Sequence, residues 1–112
     1  MNFDFSDDQR LLQAEVRKML AQTSTSTEVR RVLEGEATYS EAVWRKLIDM
    51  GAAAAAIPEA YGGAGLGYLE LCLVAEEAGR HLACVPLSSS FYLAAEAIRQ
   101  GGSEAQKQQW LP

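Results

Sequence analysis

The side chains that could do chemistry are few, and their spacing argues against catalysis. Glu76 and Glu77 are adjacent carboxylates, the raw material of an acid–base pair. Neighbours on a helix diverge by about 100°, so the two do not face each other and read as a solvated face. The single histidine, His81, falls in the last turn of a helix. There the negative end of the helix dipole favours a cation, which also accounts for Arg80. No Ser, Cys or carboxylate stands near His81 in a catalytic spacing. The run GGAGLG, Gly62 to Gly67, has glycines suited to a phosphate loop. Its spacing is not Gly-x-Gly-x-x-Gly, no strand precedes it and no Lys-Ser/Thr follows, so a tight turn is expected. Cys72 and Cys84 stand at opposite ends of one expected helix, roughly 18 Å apart at 1.5 Å per residue, too far for a disulfide. One histidine and two separated thiols do not make a zinc ligand set. Trp44 and Trp110 fit packing better than cofactor stacking. These residues supply no catalytic group and no metal site.

The elements that would position any site are helical. Ser6, with Asp7, Asp8 and Gln9 behind it, is a capping box for a first helix whose stripe is Leu12, Val16, Met19 and Leu20 and which runs to about residue 21. Thr25 and Glu28 open a short second helix that Gly35 ends. Ser40 caps a third, with Tyr39 and Trp44 at staple positions, Val43, Leu47 and Ile48 inward, and Gly51 as stop. Ala52 to Ala56 lies between Gly51 and Pro58 and reads as an irregular connector. From Tyr68 to about Ala83 the stripe Leu71, Ala75, Ala78 and Leu82, with Cys72 and Gly79 beside it, predicts a central helix of small inner residues. The Ser88-Ser89-Ser90 cluster offers caps for a helix with Phe91, Ala94, Ala95 and Ile98 inward, ending at Gly101-Gly102. Ser103 and Gln106 repeat the capping box before Trp110. Six helices without strand pairs define an all-α bundle.

Composition is consistent with this. The 112 residues, 48% hydrophobic and 22% charged, suffice for one domain with a modest core. A net charge of -5 has the wrong sign for nucleic acid, and no basic cluster exceeds Arg30-Arg31. The opening MNFDFSDDQR carries acid where a secretory signal needs base, and the longest apolar stretch, Ala52 to Pro58, is far short of a membrane span. A cytoplasmic location without membrane contact is expected.

Four segments carry a family resemblance: Trp44 to Gly51 (WRKLIDMG), Ile57 to Gly65 (IPEAYGGAG), Ala75 to Ala83 (AEEAGRHLA) and Gly102 to Pro112 (GSEAQKQQWLP). In order and spacing they resemble the N-terminal helical domain of the acyl-CoA dehydrogenase family. The opening from Phe3 to Leu12 is similar too, so the resemblance covers residues 1–112 as one such domain. It implies an FAD-dependent oxidoreductase of fatty acid metabolism, which removes the α and β hydrogens of an acyl-CoA and passes electrons to an electron-transferring flavoprotein. In that family a middle β domain holds much of the flavin, and a C-terminal helical domain carries the catalytic glutamate. Neither has a matching segment here. The resemblance therefore transfers no catalytic residue, and it implies that the chain alone is inactive and does not retain FAD.

It also implies a substrate contact. In the family the helix after the Gly-Arg segment lines the far end of the acyl chain. Matching back from the Gly-Ser-Glu ending without gaps places Val85, Pro86, Ser89 and Leu93 on pocket-lining positions. Faces meant for the missing domains, with Tyr61, Leu66, Phe91, Tyr92, Trp110 and Leu111 as candidates, are expected to drive self-association. Two other readings stand beside the dehydrogenase domain: a non-catalytic helical subunit or interaction module completing an enzyme built from other chains, and a free-standing binder of acyl chains.

Overall fold

The computed structural model describes residues 3–112; Met1 and Asn2 of the acidic opening lie outside the described residues. Six α-helices follow in order: α1 (Asp7–Thr23), α2 (Ser26–Leu33), α3 (Glu41–Asp49), α4 (Tyr68–Arg80), α5 (Ala95–Gly101) and α6 (Glu104–Trp110). A 3₁₀ turn, Glu59–Tyr61, interrupts the link before α4, and a π-helical segment, Ser88–Ala94, runs directly into α5.

The caps explain most boundaries. Ser6 with Gln9 and Ser103 with Gln106 form complete capping boxes, each side chain bonding the other residue's backbone N–H. Thr25 accepts from the Glu28 N–H, but the Glu28 carboxylate turns away to Arg31 and to the Ser40 hydroxyl, so that box is half made. Ser40 is buried. Its hydroxyl accepts from the Val43 N–H and donates to Glu28 at 2.7 Å, while its own N–H donates to the Cys84 carbonyl at 2.7 Å. One serine thus ties α2, the start of α3 and the loop after α4 together.

The core is small. Val16 and Leu20 of α1, Val43 and Leu47 of α3, Val74 and Ala78 of α4, Ala52, Ala53 and Leu87 form one buried cluster. Trp44 is half-buried and its ring meets Phe91, centroids 5.6 Å apart, so it joins the packing rather than an exposed stack. The domain is a slab of 41 × 37 × 19 Å, about two helices thick.

Three helices depart from expectation; on α3, Ile48, expected inward, is exposed at 49%. α4 buries Leu73, Val74, Glu77 and Ala78, while Cys72 and Leu82 are exposed. The inward face is rotated from the expected stripe because a charged residue, Glu77, is taken into the interior. After α4, no serine side chain caps the next helix: it starts from Leu87, and Ser89 Oγ donates to the Pro86 carbonyl instead. The Ala95 N–H reaches back five residues to the Ser90 carbonyl, the π pattern. This wider winding aligns Phe91 with Ala95 on the half-buried side and leaves Ala94 exposed.

Candidate functional site

The four expected acyl-contact residues do not share one surface. Val85 is half-buried and turned inward, lining a small cavity of about 270 Å³ together with Ala78, Leu87 and Tyr92. Pro86 is half-buried at the head of the π segment, its carbonyl accepting from the Ser90 N–H. Ser89 and Leu93 are exposed, Leu93 at 68%, and stand four residues apart on an outward stripe. The inner pair packs within this domain, and the outer pair faces away from it.

A concavity of about 600 Å³ lies between the connector after α3, the π segment with α5, and the end of α6. Ile48, Ala53, Ile57, Phe91, Ile98 and Trp110 give it an apolar wall, in which the Ser90 hydroxyl and the Trp110 indole are the side-chain polar groups. A flavin dinucleotide needs donors along its ring edge and cations or free amides for its pyrophosphate. Of these, the lining offers the Ser90 hydroxyl and the Trp110 indole as side-chain donors and no cationic side chain.

The glycine loop shows the same chemistry of saturation. The N–H groups of Gly62, Gly63, Ala64, Gly65 and Leu66 all donate to carbonyls between Ala54 and Glu59. A phosphate cradle needs such amides free. Gly62 and Gly65 have φ of 85° and 68°, and a Cβ on Gly63 would lie 2.0 Å from the Ile57 carbonyl oxygen. The loop is a folded turn built on glycine.

Charge enters the interior at one point. Glu77 is fully buried, not solvated as its sequence neighbourhood suggests. Arg17 donates to it twice, Nε at 3.0 Å and Nη2 at 2.8 Å, Gln13 donates at 3.1 Å, and Arg80 Nε lies at 3.3 Å. The Arg17 hydrogen bonds hold the carboxyl below its ordinary range, against the opposing effect of burial. His81 Nδ1 pairs with the Glu77 carbonyl at 3.0 Å, which occupies that ring nitrogen. On α1, Gln13 and Arg17 stand four residues apart beside the apolar stripe and share a face, but nothing local marks Glu77 as their partner. The arrangement clamps α1 to α4 and presents nothing to a substrate.

Of the residues expected to join copies or domains, Leu66 and Trp110 are exposed, Tyr61, Phe91 and Tyr92 are half-buried, and Leu111 is buried at 7%. Leu111 folds inward at the end of α6, where the helix closes on the connector.

The class defined by this architecture is an all-α helical domain. Comparison with known proteins agrees. The family model "Acyl-CoA dehydrogenase, N-terminal domain" matches residues 6–112. Acyl-CoA dehydrogenase FadE27 of Mycobacterium tuberculosis is 43% identical over 75 residues, 67% of this chain and 20% of that protein. Mitochondrial isovaleryl-CoA dehydrogenase of Pongo abelii is 35% identical over 111 residues, 96% of this chain and 26% of the relative. Among solved structures, a chain of the ChsE4-ChsE5 complex from Mycobacterium tuberculosis superposes with a TM-score of 0.87 at 34% identity, over 98% of this chain and 30% of its own length. The chain belongs to the acyl-CoA dehydrogenase family and forms its N-terminal helical domain. It spans between a fifth and a third of these relatives.

Proposed function

We propose that this domain forms one wall of the acyl site of an FAD-dependent acyl-CoA dehydrogenase, and that flavin and base come from segments outside these 112 residues. The exposed stripe of Ser89 and Leu93 carries the reading: it is turned outward, where a further domain would close over it. The family is generally FAD-dependent. The apolar lining described above supports a domain that packs against the flavin-bearing part without holding FAD itself. Acyl-CoA would be the substrate and an electron-transferring flavoprotein the acceptor. In this arrangement Ser89 and Leu93 limit the length of the acyl chain, while Val85 and Pro86 fix the start of the π segment that presents them.

In an assembled dehydrogenase carrying this domain, Ser89→Phe should lower kcat/KM for long acyl-CoAs and spare short ones, because bulk at a closed end excludes the chains that reach it. Equal loss at every chain length would mean a stability effect and would remove the pocket assignment. A second reading is a helical subunit that completes an enzyme built from other chains. It is favoured by the open 600 Å³ cleft and by the similarity to a chain of a two-component complex. Co-purification of a flavin-containing partner chain, rather than activity from a continuous polypeptide, distinguishes the two.

A further inference from the structure

Leu82 sits where the backbone favours glycine. The end of α4 closes with the Ala83 N–H on the Ala78 carbonyl at 2.9 Å and the Leu82 N–H on the Gly79 carbonyl at 3.2 Å, a turn whose left-handed residue is usually Gly or Asn. Leu82 holds that position with φ of 50°, the one non-glycine residue of positive φ among the described residues, and 68% of its surface is exposed. A leucine is strained there, and its exposure returns no burial in exchange. The strain keeps an apolar knob standing at the end of the helix.

Beside the knob runs a face that a close neighbour fits. Cys72 and Gly79 are exposed along α4 and Ala75 is half-buried between them, a low stripe that lets another helix approach. Next to Cys72 and Ala75 opens a hollow of about 380 Å³, with Leu71 and Tyr92 in its wall. The hollow lies toward one end of α4 and Leu82 stands at the other. Glu76 and Arg80 share the flank of the stripe, each about half exposed and loosely paired at 3.5 Å. A twofold axis requires every patch to supply both halves of each contact, and this patch carries a knob, a hollow, an anion and a cation.

We infer that this face of α4 is the interface of a homodimer, in which the α4 helices of two copies pack antiparallel about a twofold axis at the level of Ala78. At 1.5 Å per residue the axis places Leu82 of one copy about 6 Å beyond it, opposite the level of Val74 in the other and so between Cys72 and Ala75, at the mouth of the hollow. The same axis sets Glu76 of each copy against Arg80 of the other. This charge complementarity under reversal selects a second copy as the occupant. α4 is about 20 Å long and by itself falls short of the roughly 800 Å² per partner of a standard interface, so the dimer is weak and concentration-dependent. The inference does not rest on the acyl-site reading of Ser89 and Leu93.

The test is one thiol near the axis. A Cβ added at Gly79 meets no heavy atom within 4 Å, so Gly79→Cys fits the folded chain. The axis brings position 79 within about 3 Å of its counterpart along the helix direction, whereas Cys72 lies roughly 18 Å from its own. With Cys72→Ser and Cys84→Ser, the Gly79→Cys chain should form an intermolecular disulfide under mild air oxidation, seen on a non-reducing gel. The Cys84→Ser chain, which keeps Cys72, should not. Adding Leu82→Asp or Glu76→Lys to the Gly79→Cys chain should cut the linked fraction about fivefold or more. Leu82→Gly should cut it similarly while raising the melting temperature of the dilute chain, because it relieves the strained φ; a leucine kept for the fold alone would show the reverse. No linkage in a folded Gly79→Cys chain, linkage undiminished by Leu82→Asp, or equal linkage through Cys72 overturns the inference. Association seen by light scattering without this linkage overturns it too, and assigns the association to other exposed side chains such as Leu66 and Trp110.

Discussion

Burying Glu77 makes the two halves of its ion pair unequal, and the inequality can be measured. Arg17→Met keeps the aliphatic stem but removes both of its hydrogen bonds, leaving a carboxylate with no exposure to water. Breaking a buried pair from one side costs about 3–5 kcal/mol. Here Arg80 and Gln13 remain and Arg17 is itself half exposed, which reduces the expected loss to about 2–3 kcal/mol. In a domain of this length that corresponds to a fall in Tm of roughly 10 °C. Glu77→Met removes the anion instead. The freed Arg17 reaches water from its half-exposed position, so the expected cost is about 0–1 kcal/mol. The double variant should then resemble Glu77→Met, because without the anion the cation has little left to do. Thermal unfolding followed by circular dichroism at pH 7 reads all three. The pH dependence has a definite sign. The folded carboxyl titrates below its ordinary value near 4.5, so its stabilisation is complete above that pH and is lost as pH falls through the lowered range. Glu77→Met should flatten that part of the acid limb. A larger loss in Glu77→Met than in Arg17→Met would refute the argument from desolvation.

Three further outcomes are expected. Gly63→Ala drives a methyl into the Ile57 carbonyl and should destabilise by more than about 2 kcal/mol, seen as a lowered urea midpoint; an unchanged midpoint means the loop can shift. Ser40→Ala removes a buried cap and should cost about 1–2 kcal/mol. It should also raise the Glu28 pKa from about 2, because the Ser40 hydroxyl is the second group, after Arg31, holding that carboxyl down; a carboxyl-carbon NMR titration checks the direction. Exposed Leu66, Leu93 and Trp110 should promote association, so light scattering at micromolar concentration should give a dimer or larger, and a clean monomer over a wide range contradicts it.

The termini of the helices were legible in the sequence because capping is local. Ser6 with Gln9, Ser40, and Ser103 with Gln106 meet their partners within three residues, and a local rule suffices. The glycine turn was legible for the same reason. Glu77 was not, since its burial depends on Arg17 sixty residues away, a pairing that only the packing of α1 on α4 creates. The π winding at Ser88–Ala94 was also hidden. Three serines there suggested caps, but Pro86 and Leu87 had already begun the helix, and the hydroxyl of Ser89 bonds back to Pro86. The register of that segment decides which residues face outward. The four positions expected to contact an acyl chain therefore split into an inner pair and an outer pair that linear matching had placed together.

Ala53 and Ala54 form part of the floor of the 600 Å³ cleft, within a run of five alanines. A methyl has no rotamers, so this floor neither swings to fill the cleft nor retracts to enlarge it. Whatever seats there freezes no side chain of the floor, and the ordering entropy of contact falls on the incoming surface and on the lining side chains that do rotate, such as Ile48, Ile57, Phe91, Ile98 and Trp110. The cleft is a seat with an adjustable wall: its alanine floor is set by the backbone, and accommodation among occupants of different outline is left to those longer side chains.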